Sequence, residues 1–112
     1  MTNPLKSVSL LRKLVSTARS VTTGQVGLPL GILRLHTILY WLRQQNVTPL
    51  SEEDVQVLEA YHAQIIDFPI GDERHNWSLE ALQKEDAELQ ELTALYQPQL
   101  MAVLYRIVAE AI

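Results

Sequence analysis

The residues best suited to chemistry are few and poorly clustered. Glu59-Ala60-Tyr61-His62 sets a carboxylate and an imidazole three residues apart on one helical face. That is the spacing by which carboxylate-bridged di-metal bundles hold their ions. Such a centre needs a second Glu-x-x-His pair and two further inward carboxylates, and no second pair occurs. His62 therefore reads as a half-buried packing residue, and neither a metal nor a cofactor is expected. Cysteine is absent, which excludes a thiol nucleophile, a disulfide framework and a thiolate metal site. Ser9, Ser16 and Ser20 lie on the water-facing side of a helix with no histidine or acid nearby in sequence, and there is no Gly-x-Ser-x-Gly elbow. Gly24, Gly27, Gly31 and Gly71 follow no strand, so they form no phosphate-cradling fingerprint. No catalytic residue is assigned, and the chain reads as non-enzymatic.

Charge is more informative. Residues 1–50 carry Lys6, Arg12, Lys13, Arg19, Arg34 and Arg43 and no acid, a charge of +6. Residues 51–112 carry all 13 acids against Arg74, Lys84 and Arg106, a charge of −10, and the whole chain is at −4. Either the two halves pack face to face and attract each other, or each presents one sign to a partner. The first is the simpler expectation, and Arg34 is its marker. Arg34 lies in a helix that should be mostly buried, so it should pair with a carboxylate from residues 51–112. Nucleic acid is not the expected partner, because the second half opposes phosphate. The basic first helix also lacks the aromatic anchors of a membrane-surface helix.

The elements that position these residues are all helical. With 112 residues and 47% apolar content, one packed domain spanning 1–112 is expected. Asn3-Pro4 starts a first amphipathic helix, and Thr22-Thr23-Gly24 stops it. A second helix, Pro29–Gln45, is apolar nearly all round and so is placed centrally, with Gly31 open to a close neighbour. Ser51 caps a third, whose inner stripe is Val55, Leu58, His62 and Ile65 or Ile66. Ser78 caps a fourth, with Trp77 and Leu82 at the positions of a hydrophobic staple. Pro98 either kinks that helix or begins a fifth, Pro98–Ile112, and the fifth is preferred. No stretch alternates in the manner of a strand. The expected fold is all-α, a compact bundle of four to five helices. Apolar residues on several faces of Pro98–Ile112 imply either a central position for that helix or a homodimer through its outer face, at Met101 and Tyr105, and the dimer is preferred. No segment is long and apolar enough to span a membrane, and no leader is evident, so a cytoplasmic protein is expected.

One segment stands apart. Asp67-Phe68-Pro69-Ile70-Gly71-Asp72-Glu73-Arg74-His75-Asn76-Trp77 leads into an acidic helix through Ala81-Leu82 and Asp86-Ala87-Glu88-Leu89. It resembles a group of small bacterial all-helical proteins that share an Asp-x-Pro-x-Gly-x-x-Arg-x-x-Trp run, with Ile65 standing where that group has an acid. The resemblance covers about a fifth of the chain. It implies no defined activity, but some members look like immunity or accessory proteins encoded beside toxins. Asp67, Pro69, Gly71, Arg74 and Trp77 are therefore the candidate binding residues. Arginine and tryptophan are common interface anchors, although a structural corner with Arg74 paired to Asp67 or Asp72 is the competing reading. The function expected is protein–protein interaction, toxin-neutralising or adaptor-like, with a basic protein as partner. The alternative is a bundle that holds a small apolar ligand or metal as a sensor or enzyme.

Overall fold

The computed structural model describes residues 3–110. Four α-helices, α1 (Pro4–Thr22), α2 (Leu28–Gln44), α3 (Glu52–Ile65) and α4 (Leu79–Ala109), are joined by short turns, with a 3-10 turn at Asp72–Asn76. No strand occurs among the described residues. The starts follow local chemistry. Asn3 accepts the Lys6 amide at 3.2 Å, Ser51 the Asp54 amide at 3.1 Å and Ser78 the Ala81 amide at 3.1 Å. Each satisfies an amide that the first turn leaves without a helical partner. Pro4 and Pro29 sit in first turns, where a missing N–H costs nothing. Helix α1 ends on Gly24, which takes φ +80°.

The core is one cluster fed by all four helices: Leu10, Leu14, Ala18 and Val21, then Ile32, Leu35 and Leu42, then Leu58, Tyr61 and Ile65, then Leu89, Leu100, Val103, Leu104 and Ile107. α1 packs on α2 and on α4, and α3 closes the bundle between α2 and α4. Gly31 permits the close α1–α2 approach, since a Cβ there would run into the Val21 side chain.

Three expectations are corrected. There is no separate fifth helix: α4 runs unbroken through Pro98 for 31 residues. Those residues span about 46 Å at the helical rise, and the long dimension of the molecule is 46 Å. Residues 111 and 112 of the expected fifth helix lie outside the described residues. Pro98 and Ala94, whose carbonyl loses its amide partner there, both face solvent, so water can take that carbonyl. Apolar anchors on both sides, Leu89 before and Leu100, Val103, Leu104 and Ile107 after, hold the helix in one piece. The C-terminal half of α4 is packed into the core through Leu100, Val103, Leu104 and Ile107, with Tyr105 exposed and Met101 half-buried on its outer side.

Helix α2 touches α1, α3 and α4, but the burial expected nearly all round it is not found: one face, with Arg34, Thr37, Tyr40 and Trp41, is exposed. Arg34 is consequently in solvent with no carboxylate within 4 Å among the described residues, so the expected ion pair is absent. Neighbours gathered on one side of a helix bury one broad face and leave the other to water, however apolar the sequence is. In α3 the buried residues are Leu58, Tyr61 and Ile65, while His62 is half-buried and Ile66 exposed. No described helix is long and apolar enough to cross a membrane.

Candidate interaction surfaces

The Asp67–Trp77 segment is a corner locked onto α4. Pro69 and Ile70 are buried. The Ile70 amide donates to the Glu73 carboxylate at 3.1 Å. Gly71 turns the chain at φ +87°, a conformation that a side chain resists. Arg74 donates to the Pro69 carbonyl at 3.1 Å and grips Asp86 with two parallel bonds of 2.6 and 2.8 Å. This fork raises the Arg74 pKa and holds the Asp86 carboxyl below its ordinary value, in both cases chiefly through the hydrogen bond between them.

The partner of Arg74 is thus Asp86, twelve residues on, rather than Asp67 or Asp72. Its guanidinium is engaged in closing the corner. Of the five candidate residues, Asp67, Gly71 and Trp77 face outward, with Trp77 39% exposed beside a 74% exposed Leu79. The structure brings Pro69 and Arg74 into contact and leaves Asp67 and Trp77 at the surface.

The half-motif Glu59-x-x-His62 serves packing. The imidazole of His62 stacks on that of His36 from α2, with centroids 3.6 Å apart and planes within 10°. Stacked rings hold their nitrogens in parallel planes instead of converging them on one ion. Among the described residues no group of three or more His, Asp or Glu side chains is placed to hold a metal. Burial is the main cause of a lowered His62 pKa, followed by the neighbouring His36, while Glu59 opposes both. Glu59 itself lies 3.7 Å from Arg43.

A depressed imidazole pKa means that the folded state prefers neutral His62. Its contribution is complete above the unfolded value, about 6.5, and declines as pH falls through that value toward the folded one. Thermal stability should therefore drop between pH 7.5 and pH 5.5. H62Q should flatten that drop, and an equally steep profile in H62Q would reject the assignment.

The largest feature is electrostatic. Among the described residues, Arg43 is the one basic side chain of the first 50 with a carboxylate within 4 Å. The other two ion pairs, Arg74–Asp86 and Arg106–Asp54, are internal to the acidic half. Lys6, Arg12, Lys13, Arg19 and Arg34 are all exposed. The halves therefore do not neutralise each other, and the reading in which each presents one sign is the one the contacts favour.

On α4, Glu80, Lys84, Glu88, Glu91 and Leu95 recur at three- and four-residue spacing, all exposed, so one outer stripe carries three glutamates, a single lysine and a bare leucine. Elsewhere, α1 and α2 leave between them a shallow groove of about 480 Å³ that includes Lys13, Arg34, Thr17, Thr37, Leu33 and Ile38. Lys6 extends the basic strip, its ammonium 5.3 Å from the centre of the Trp41 ring.

No protein-family model, no curated protein and no solved structure matches the chain.

Proposed function

We propose that this is a non-enzymatic protein–protein interaction protein, toxin-neutralising or adaptor-like, that works in the cytoplasm and docks a basic protein on the outer stripe of α4. The observation that carries the reading is the separation of charge: Glu80, Glu88 and Glu91 stand in solvent with no cation within 4 Å among the described residues. A field of one sign steers and orients a partner of the other sign. Trp77 and Leu79, exposed at the N-terminal end of the same helix, add apolar contact of the kind that anchors interfaces. The likeness of the Asp67–Trp77 run to immunity-like bacterial proteins points the same way. So does the lack of cysteine, which suits a reducing compartment.

A second reading, a small-ligand carrier, draws on a different place. A groove of about 650 Å³ lies along α1 beside the end of α4, with Leu11, Val15, Leu50 and Ile107 inside it and Arg12, Arg19 and Glu110 among its lining residues. That composition suits an apolar ligand with a polar end. The docking reading is preferred because it accounts for the unpaired acids of the second half.

The test is capture from cells that make the protein, with wild type and E88K/E91K compared at low salt. Both positions are exposed, so the variant should fold. A basic protein held by the wild type and lost by the variant is expected. Identical retention by the two would remove the acidic stripe from the account.

A further inference from the structure

We infer that one partner of the acidic α4 stripe is the α1–α2 groove of a second copy of this chain, so that the protein associates head to tail through its own opposite charges. The inference rests on the reading of that stripe as a docking face and names an occupant for it.

Shape and charge carry the argument. The groove is shallow and framed by two helices, the kind of surface into which a third helix packs. Its cations, Lys13 and Arg34, and Lys6 on the same helix as Lys13 have no carboxylate within 4 Å among the described residues, and residues 1–50 contain no acid that could compete for them. Leu33 and Ile38 supply apolar contact inside it. The α4 stripe carries the opposite net sign: Glu80, Glu88 and Glu91 outnumber the single Lys84, and Leu95 is 78% exposed.

The spacings also correspond. Lys6 and Lys13 are separated by about 10.5 Å of helix, and Glu80 and Glu88 by about 12 Å. The two surfaces belong to different helices of the same molecule, so the contact joins unlike patches. Such a contact builds chains or rings rather than an isologous dimer through one shared patch. Exposed charges are screened over a Debye length of roughly 10 Å at 0.1 M salt. Association should therefore weaken as salt is raised.

Sedimentation of the full chain between micromolar and millimolar concentration tests this, using wild type, K13E/R34E and E88Q/E91Q. All four positions are exposed, and an unchanged far-UV spectrum confirms folding of each variant. In low salt the wild type should show an average mass that rises with concentration. Each variant should weaken association by on the order of tenfold or more. Mixing the two variants brings one intact groove to one intact stripe, so a complex of one copy of each should form and grow no further.

A wild type that stays monomeric in low salt overturns the inference. So does association that ignores salt, or a mixture that fails to form the one-to-one complex. A monomeric wild type that shifts a labelled single-stranded oligonucleotide, with K13E/R34E losing the shift, would give the groove to a polyanion and overturn it as well. None of these results touches the capture comparison with E88K/E91K. Failure of self-association and failure of the docking reading are therefore separable.

Discussion

Replacing Tyr61 with alanine should lower the unfolding free energy by about 4 kcal/mol, the range seen when a large buried aromatic is truncated. Tyr61 has no exposed surface and is among the largest fully buried side chains. Its ring meets that of Tyr96 at 5.4 Å, tilted by 51°, and its hydroxyl hydrogen-bonds to the Thr93 hydroxyl at 2.7 Å. Both contacts tie α3 to the middle of α4, so truncation opens a cavity where the bundle closes. Burial also raises the phenol pKa. Y61F should cost only about 1 kcal/mol, since it keeps the ring and removes one hydrogen bond. Chemical denaturation gives both values. If Y61A were within about 1 kcal/mol of wild type, the closure of the bundle by α3 would be refuted.

Replacing Pro98 with alanine should have the opposite sign, a gain of about 2 kcal/mol. A proline inside a helix costs about 3 kcal/mol relative to alanine. Part of that gain is offset by up to about 1 kcal/mol, because alanine also frees the unfolded chain. The site is exposed, and α4 is helical on both sides of it, so a restored amide can reach the Ala94 carbonyl without moving the core. For a domain of this size the gain raises the melting temperature by roughly 10 °C. A destabilised P98A would mean that the proline sets a bend on which Leu89 and Leu100 both depend for burial.

The contrast between these sites shows what was legible in the sequence. Helix starts were readable because a cap is a matter of three or four consecutive residues, as at Asn3, Ser51 and Ser78. The all-α class followed from the same local signals and the lack of period-two alternation. Pro98 misled because its cost is local while the packing that outweighs it is tertiary.

Tyr61 is not on the inner stripe expected for the third helix, where His62 stands in its place. The hydroxyl that satisfies Tyr61 belongs to Thr93, 32 residues away, and nothing near it in sequence announces the pair. Arg34 was placed indoors because the apolar density of α2 was taken as a sign of centrality. In the fold, part of that apolar surplus, Tyr40 and Trp41, lies at the surface.

The candidate site was legible only in part. The turn at Pro69 and Gly71 was readable from residue type, but the partner of Arg74 sits in the next helix at Asp86. The stacking of His36 on His62 joins two helices with no shared motif, so no spacing rule could have found it. The charge split was visible as a count. Whether it cancelled depended on which faces met, and that is a property of the packing.

The separation of charge is tested most directly by ion exchange. At pH 7 the chain carries a net charge of −4, and a protein with that charge spread evenly would pass through a cation exchanger. With Lys6, Lys13 and Arg34 exposed on α1 and α2 and unpaired with any carboxylate among the described residues, the wild type should be retained on a cation exchanger in low salt. It should elute as salt is raised, and K13Q/R34Q should flow through. A wild type that flows through, or a variant retained as strongly as the wild type, would contradict a basic face distinct from the acidic one.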